Sequence, residues 1–115
     1  MREVGERLRD ILDAINQIGR YASRGREAFE REELIQIRVV HHLQIIGEAA
    51  SRLGRESHAA YSEVPWAKIV TMRNVLVHDY FGVDLNELWN MVQRDLGPIQ
   101  GRVEWLLTEL ERKKR

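Results

Sequence analysis

The sequence predicts an all-α protein, a bundle of four helices with the last one interrupted, and three observations lead there. No stretch alternates apolar and polar residues as a half-buried strand does, and no hairpin dipeptide or internal repeat occurs. Apolar residues recur instead at steps of three and four along successive segments. Glycine, proline and capping residues fall between those segments, where helices stop and start.

The first helix is expected from Arg2 to about Ser23, carried by Val4, Leu8, Ile11, Leu12, Ile15 and Ile18 and closed by Gly25. The second should begin near Phe29 or Glu30 and end at Leu53, with Gly54 as its cap. Its main stripe is Ile35, Val39, His42, Ile46, Ala49 or Ala50, and Leu53. Its opposite side is not properly polar, because Leu34, Ile37 and Ile45 share it with His41 and Glu48. A helix apolar on two faces is central in its bundle or lies at a subunit interface. Gly47, Ala49, Ala50 and Ser51 also permit another helix to approach closely.

From Arg55 to Val64 the periodicity lapses, which predicts a loop. Pro65 falls in the first turn of a third helix, with Ser62 as its N-cap, and Gly82 offers a stop soon after Asp79. Asp84 and Glu87 make a capping-box-like start for the final helix, which Leu85, Leu88, Trp89, Val92 and Leu96 continue. Gly97-Pro98 should kink or break it before Val103, Leu106, Leu107 and Leu110.

A chain of 115 residues is one domain, 1–115, with a single core. Hydrophobic residues at 43% and charged residues at 31% predict a folded, soluble protein. The absence of cysteine excludes disulfides and thiolate metal sites, and suits a reducing compartment. The charged amino terminus lacks the apolar core of a signal peptide, and no apolar run approaches the ~20 residues that span a bilayer. A cytoplasmic protein without membrane contact is expected. Eighteen basic residues balance eighteen acidic ones, which weighs against bulk electrostatic binding to duplex nucleic acid. His41 and His42 point ~100° apart on a helix, so the pair does not chelate one metal ion.

The most informative stretch is Arg73-Asn74-Val75-Leu76-Val77-His78-Asp79-Tyr80. At ~100° per residue, Trp66, Ile69, Val70, Val77 and Tyr80 share one helical face with Arg73 at its centre. Asn74 and His78, four residues apart, lie on the neighbouring stripe. An arginine on an apolar face is costly unless paired, which makes Glu48 either its counter-ion or a solvated carboxylate. Spacing alone favours a hydrogen-bonded core network over a site for Arg73, Asn74, His78 and Tyr80.

The motif Arg-Asn-x-x-x-His-x-Tyr resembles the bacterial HEPN superfamily, and within it the HepT-like toxins of the MntA/HepT type. Ile45-Ile46-Gly47-Glu48-Ala49-Ala50, Val64-Pro65-Trp66, Met72 to Phe81 and Asp95-Leu96-Gly97-Pro98-Ile99 are similar to that family as well, in the same order. The resemblance implies a HEPN-type four-helix bundle that forms a two-fold dimer. It implies a metal-independent endoribonuclease that needs no cofactor, the toxin of a type VII-like toxin–antitoxin system acting on RNA. By the same resemblance, Arg73 would bind the phosphate, His78 would serve as general acid or base, and Asn74 would orient His78 or the substrate. Glu48 and Asp79 are candidates for structural or site support. A MntA-like nucleotidyltransferase antitoxin would transfer AMP to Tyr80 and so silence the site. The competing expectation is a non-catalytic HEPN module that partners a minimal nucleotidyltransferase.

Overall fold

The structure, a computed structural model, describes residues 3–78 and 84–113, and for 74–78 the backbone alone. Among these residues the chain is helical from end to end: α1 (Val4–Ala22), α2 (Arg26–Arg31), α3 (Glu33–Ala60), α4 (Trp66–His78) and α5 (Leu85–Lys113). α3 lies at the centre, with α1 and α4 packed on it, and α5 lies along α1. At ~1.5 Å per residue α5 is about 43 Å long, which sets the 47 Å long axis of the molecule. No helix among the described residues is long and apolar enough to cross a membrane.

α1 follows its periodicity: Leu8, Ile11, Ile15 and Ile18 are buried, together with Ala14. It ends at Ser23, whose N–H donates to the Gly19 carbonyl at 2.9 Å. Gly25, at φ 95°, then turns the chain into α2. This φ is open to glycine at little steric cost.

The second expected helix is in fact two. Glu32 is extended, with φ −106° and ψ 105°, and separates α2 from α3. The Gln36 side-chain amide donates to the carbonyls of Phe29 at 2.9 Å and Glu30 at 3.2 Å. It thereby satisfies carbonyls at the end of α2 that a continuous helix would have paired internally. The break lets Phe29 enter the core, where it is 1% exposed and its ring lies 5.3 Å from that of Trp89.

α3 departs from helical geometry at Gly54, φ 81° and ψ 170°, so its long segment stops after Leu53 as the sequence predicts. The expected loop beyond Gly54 begins instead with a further helical stretch to Ala60. His58 fastens this stretch. Its Nε2–H donates to the Ala50 carbonyl at 2.7 Å, and its ring stacks on Trp66 at 5.0 Å and 9°. Because a carbonyl only accepts, Nε2 carries the proton.

Ser62 does not cap α4. Pro65 stands directly before Trp66, and its carbonyl accepts the Ile69 N–H at 3.2 Å. Trp66 fixes the entry, since its buried indole donates to the Tyr61 carbonyl at 2.9 Å. Trp66, Ile69 and Met72 face the core. The stop expected at Gly82 lies outside the described residues.

Asp84 caps α5 through its carboxylate, which accepts the Asn86 N–H at 2.8 Å. A side-chain oxygen at this position satisfies an N–H that has no partner within the helix. The expected break at Gly97-Pro98 is absent, and α5 runs through Pro98. Both residues are exposed while Leu96 and Ile99 on either side are buried. The carbonyl of Arg94, which loses its donor to the proline ring, therefore sits toward water rather than in the core. One turn earlier, Asp95 is 5% exposed and is held by Lys68 at 3.0 Å and Arg94 at 3.2 Å, which ties α4 to α5.

Candidate active site

The site is built at the crossing of α3 and α4. A Cβ placed on Gly47 would lie 2.0 Å from Cβ and 2.6 Å from Cγ of Arg73, and 3.2 Å from its Cα. Carbon atoms normally stop at ~3.5–4.0 Å, so only glycine allows α4 to come this near. The stem of Arg73 rests on that bare backbone. Its guanidinium then reaches Glu48, the next residue of α3, with Nη2 3.1 Å from Oε2.

Glu48 is shared. Its other oxygen accepts from Arg52 Nε at 2.8 Å, one turn further along α3. A carboxylate between two guanidiniums fixes the direction of both. Of the two readings open from sequence, the counter-ion is the one found. The side chain of Arg73 is 32% exposed and that of Glu48 42%. Solvent screening at that exposure limits the pair to ~0–1 kcal/mol. Its consequence is orientation rather than stability.

Arg73 faces a cleft of about 500 Å³ between α1, α3 and α4, lined by Arg7 and Asp10 of α1 and by His41, Gln44 and Glu48 of α3. That volume falls in the ~300–1,000 Å³ range of small-molecule sites. The sequence discounts His41 as a metal ligand because its neighbour His42 points elsewhere. In the structure the two rings meet edge to face, 5.2 Å apart at 83°, and turn to different surroundings. His42 turns inward, donating from Nδ1 to the Arg38 carbonyl at 2.7 Å and lying near Tyr21, while His41 stays at the cleft. The spacing of His41, Gln44 and Glu48 is the available signal for this group, since steps of three and four stack on one helical stripe. Arg7 and Asp10 give none, because only the packing of α1 against α3 brings them there.

The side chains of Asn74 and His78, and the whole of Asp79 and Tyr80, lie outside the described residues. The backbone of α4 continues helically to His78, which places that residue just over one turn beyond Arg73. Among the described residues no group of three or more histidines, cysteines and carboxylates is arranged to hold a metal ion.

On the α3 face leading to this cleft, Leu34 is 64% and Ile37 41% exposed. With His41 and Ile45 they continue the stripe that ends at Glu48 and Arg52. The second apolar face read from the sequence is thus uncovered in the single chain.

Comparison with known proteins gives a consistent result. A family model described as Ribonuclease HepT-like matches residues 11–106. A protein of Thermococcus cleftensis named "Probable ribonuclease HepT" is 35% identical over 100 residues, covering 86% of this chain and 91% of its own length. "Putative RNase MJ1380" of Methanocaldococcus jannaschii is 34% identical over 104 residues, covering 90% of this chain and 95% of its own. A longer protein of the same organism, "Gamma-glutamylcyclotransferase and putative RNase MJ0434", is 32% identical over 108 residues. This chain spans 49% of that protein's length, about half. No solved structure matches the chain.

Proposed function

The chain belongs to the HepT-like ribonuclease family, and from that membership we propose that it is an endoribonuclease using Arg73, Asn74 and His78. The observation that carries this reading is the placement of Arg73. It is bedded on Gly47, aimed by Glu48 and open to a cleft of nucleotide size.

RNA carries its own nucleophile in the 2′-hydroxyl. The protein must supply a base for that proton, an acid for the departing 5′ oxygen and a cation for the developing phosphorane charge. A guanidinium suits the last task because its five donors pair with phosphate oxygens two at a time. His78 takes or gives the proton, and Asn74 orients it or the substrate. The products are a 2′,3′-cyclic phosphate and a 5′-hydroxyl. No metal ion takes part in this reading.

A two-fold homodimer would bring two copies of Arg73 and His78 into one cleft, and such isologous pairs are the commonest oligomers. The exposed Leu34 and Ile37, on the face that leads to Arg73, support this arrangement. The motif from Arg73 to Tyr80 supports a toxin role within a type VII-like toxin–antitoxin pair. Its MntA-like nucleotidyltransferase antitoxin transfers AMP to Tyr80. A phosphodiester and purine added seven residues after Arg73 in the sequence would neutralise the cation and block the cleft.

Cleavage of RNA by purified protein in EDTA, compared with Arg73→Ala and His78→Ala, tests the reading. Loss of one acid–base group should cost ~10²–10⁴-fold in rate. A folded His78→Ala protein that cut as fast as the parent would refute the assignment. No cleavage by the parent would leave the non-catalytic module that partners a nucleotidyltransferase. For the modification, intact mass after incubation with the antitoxin and ATP should gain one adenylyl group, absent in Tyr80→Phe.

A further inference from the structure

We propose that the cleft beside Arg73 holds one nucleotide of the RNA by both of its phosphates, one on Arg73 and the other on His41. The inference rests on the ribonuclease reading and adds a second anchoring side chain that the motif does not contain.

His41 precedes Glu48 by seven residues, two turns of α3, so the two lie on one stripe ~10 Å apart along the axis. Gln44 stands between them, and all three line the same cleft as Arg73. Arg73 is drawn to the Glu48 end. The cleft thus presents a cation at one end, an imidazole at the other, and an amide between that can pair with a base or a ribose hydroxyl. A nucleotide within RNA has the same layout, a phosphate on each side of a sugar and base. The space of about 500 Å³ accommodates it.

The cleft walls carry charges of both signs. Arg7 and Asp10 face His41 from α1, Glu48 and the exposed Arg38 from its own helix, and Arg73 from α4. His42 is turned away on the Arg38 carbonyl. Arg7 and Arg73 balance Asp10 and Glu48 along the cleft walls, and the His41 imidazole adds an N–H donor for a phosphate oxygen. His41 is a binding and positioning residue in this inference, and the proton transfers stay with His78.

The test is an NMR titration of the histidine Cε1–H resonances of the full chain, with and without adenosine 3′,5′-bisphosphate. Loss of one resonance in His41→Gln identifies His41. Adding the bisphosphate at constant pH should shift that resonance, and Arg73→Ala should abolish the shift. His41→Ala should weaken bisphosphate binding about 10-fold, the loss of one charge-assisted contact, and raise KM for RNA more than it lowers kcat, with the helical circular dichroism unchanged. An unmoved His41 resonance, or equal affinity in His41→Ala, overturns the inference. So does an equal response to inorganic phosphate at the same concentration, which would mean an anion site with no preference for a nucleotide. Failure of the parent protein to cut RNA counts against the ribonuclease reading instead, and is read in a separate assay.

Discussion

Replacing Gly47 with alanine should destabilise the protein, although alanine is the better helix former. The added methyl carbon would lie 2.0 Å from Arg73 Cβ and 3.2 Å from its Cα. Neither atom moves with a side-chain rotamer, so the helices themselves must separate by ~1.5 Å to restore a normal carbon contact. Overpacking of this kind costs ~1–3 kcal/mol, and a clash with backbone-bound atoms belongs at the upper end. Helix propensity returns about 1 kcal/mol, which leaves a net loss of about 2 kcal/mol. Unfolding entropy near ~2.1 cal/mol/K per residue makes each kcal/mol worth about 4 °C in a chain this long, so Tm should fall by about 8 °C. Gly101 provides the contrast. It is exposed in the middle of α5, and nothing lies within 4 Å of a Cβ built there. Gly101→Ala should therefore raise Tm by up to about 4 °C. Differential scanning calorimetry of both variants decides the matter, and a Gly47→Ala protein as stable as its parent would refute the crossing geometry. The same displacement would stretch the 3.1 Å Arg73–Glu48 pair past ion-pair distance, so RNA cleavage should fall even where the variant is fully folded.

Four other outcomes are expected. Asp95→Ala removes the buried carboxylate that joins Lys68 and Arg94. Urea unfolding should show a loss of ~1–3 kcal/mol, with Lys68→Ala costing less because Arg94 remains. Gln36→Ala leaves the carbonyls of Phe29 and Glu30 without their side-chain donor. The same measurement should show a loss of ~1–2 kcal/mol. The proposed homodimer is tested by Leu34→Glu with Ile37→Glu, which should leave the helical circular dichroism unchanged, lower the sedimentation coefficient relative to the parent and reduce RNA cleavage. The Glu109 carboxyl is held below its ordinary value of 4.5 by its hydrogen bond from Arg112. Its contribution to stability is therefore present above that value and is lost as pH falls through the lowered one. In Arg112→Ala the Glu109 carbon resonances should titrate at the ordinary value.

Helix content is plain from periodicity because burial of one stripe leaves a regular trace. α1, the long part of α3 and the start of α5 lie where their apolar steps and caps place them. The errors have a common cause. Whether Pro98 breaks a helix depends on which way the orphaned carbonyl faces, and Gln36 interrupts α2 and α3 through bonds that no propensity encodes. Arg73 stands out because a charge on an apolar stripe is anomalous in sequence alone. Its partner Glu48 is one of two readings there, and the distance of 3.1 Å decides between them. In the sequence His41 is half of a failed metal pair. Its neighbours Arg7 and Asp10 arrive from a helix more than thirty residues earlier, and no local pattern links them to it.

The start of α1 and the end of α5 lie side by side. Arg9 Nη2 is 2.8 Å from Glu111 Oε1, and Val4, Leu107 and Leu110 line one shallow apolar cleft between them. A short linker from Lys113 to Val4 would therefore span little distance, and the chain could be reopened at Gly25, between α1 and α2, without cutting a helix. A circular permutant of that design should keep the α3–α4 crossing intact.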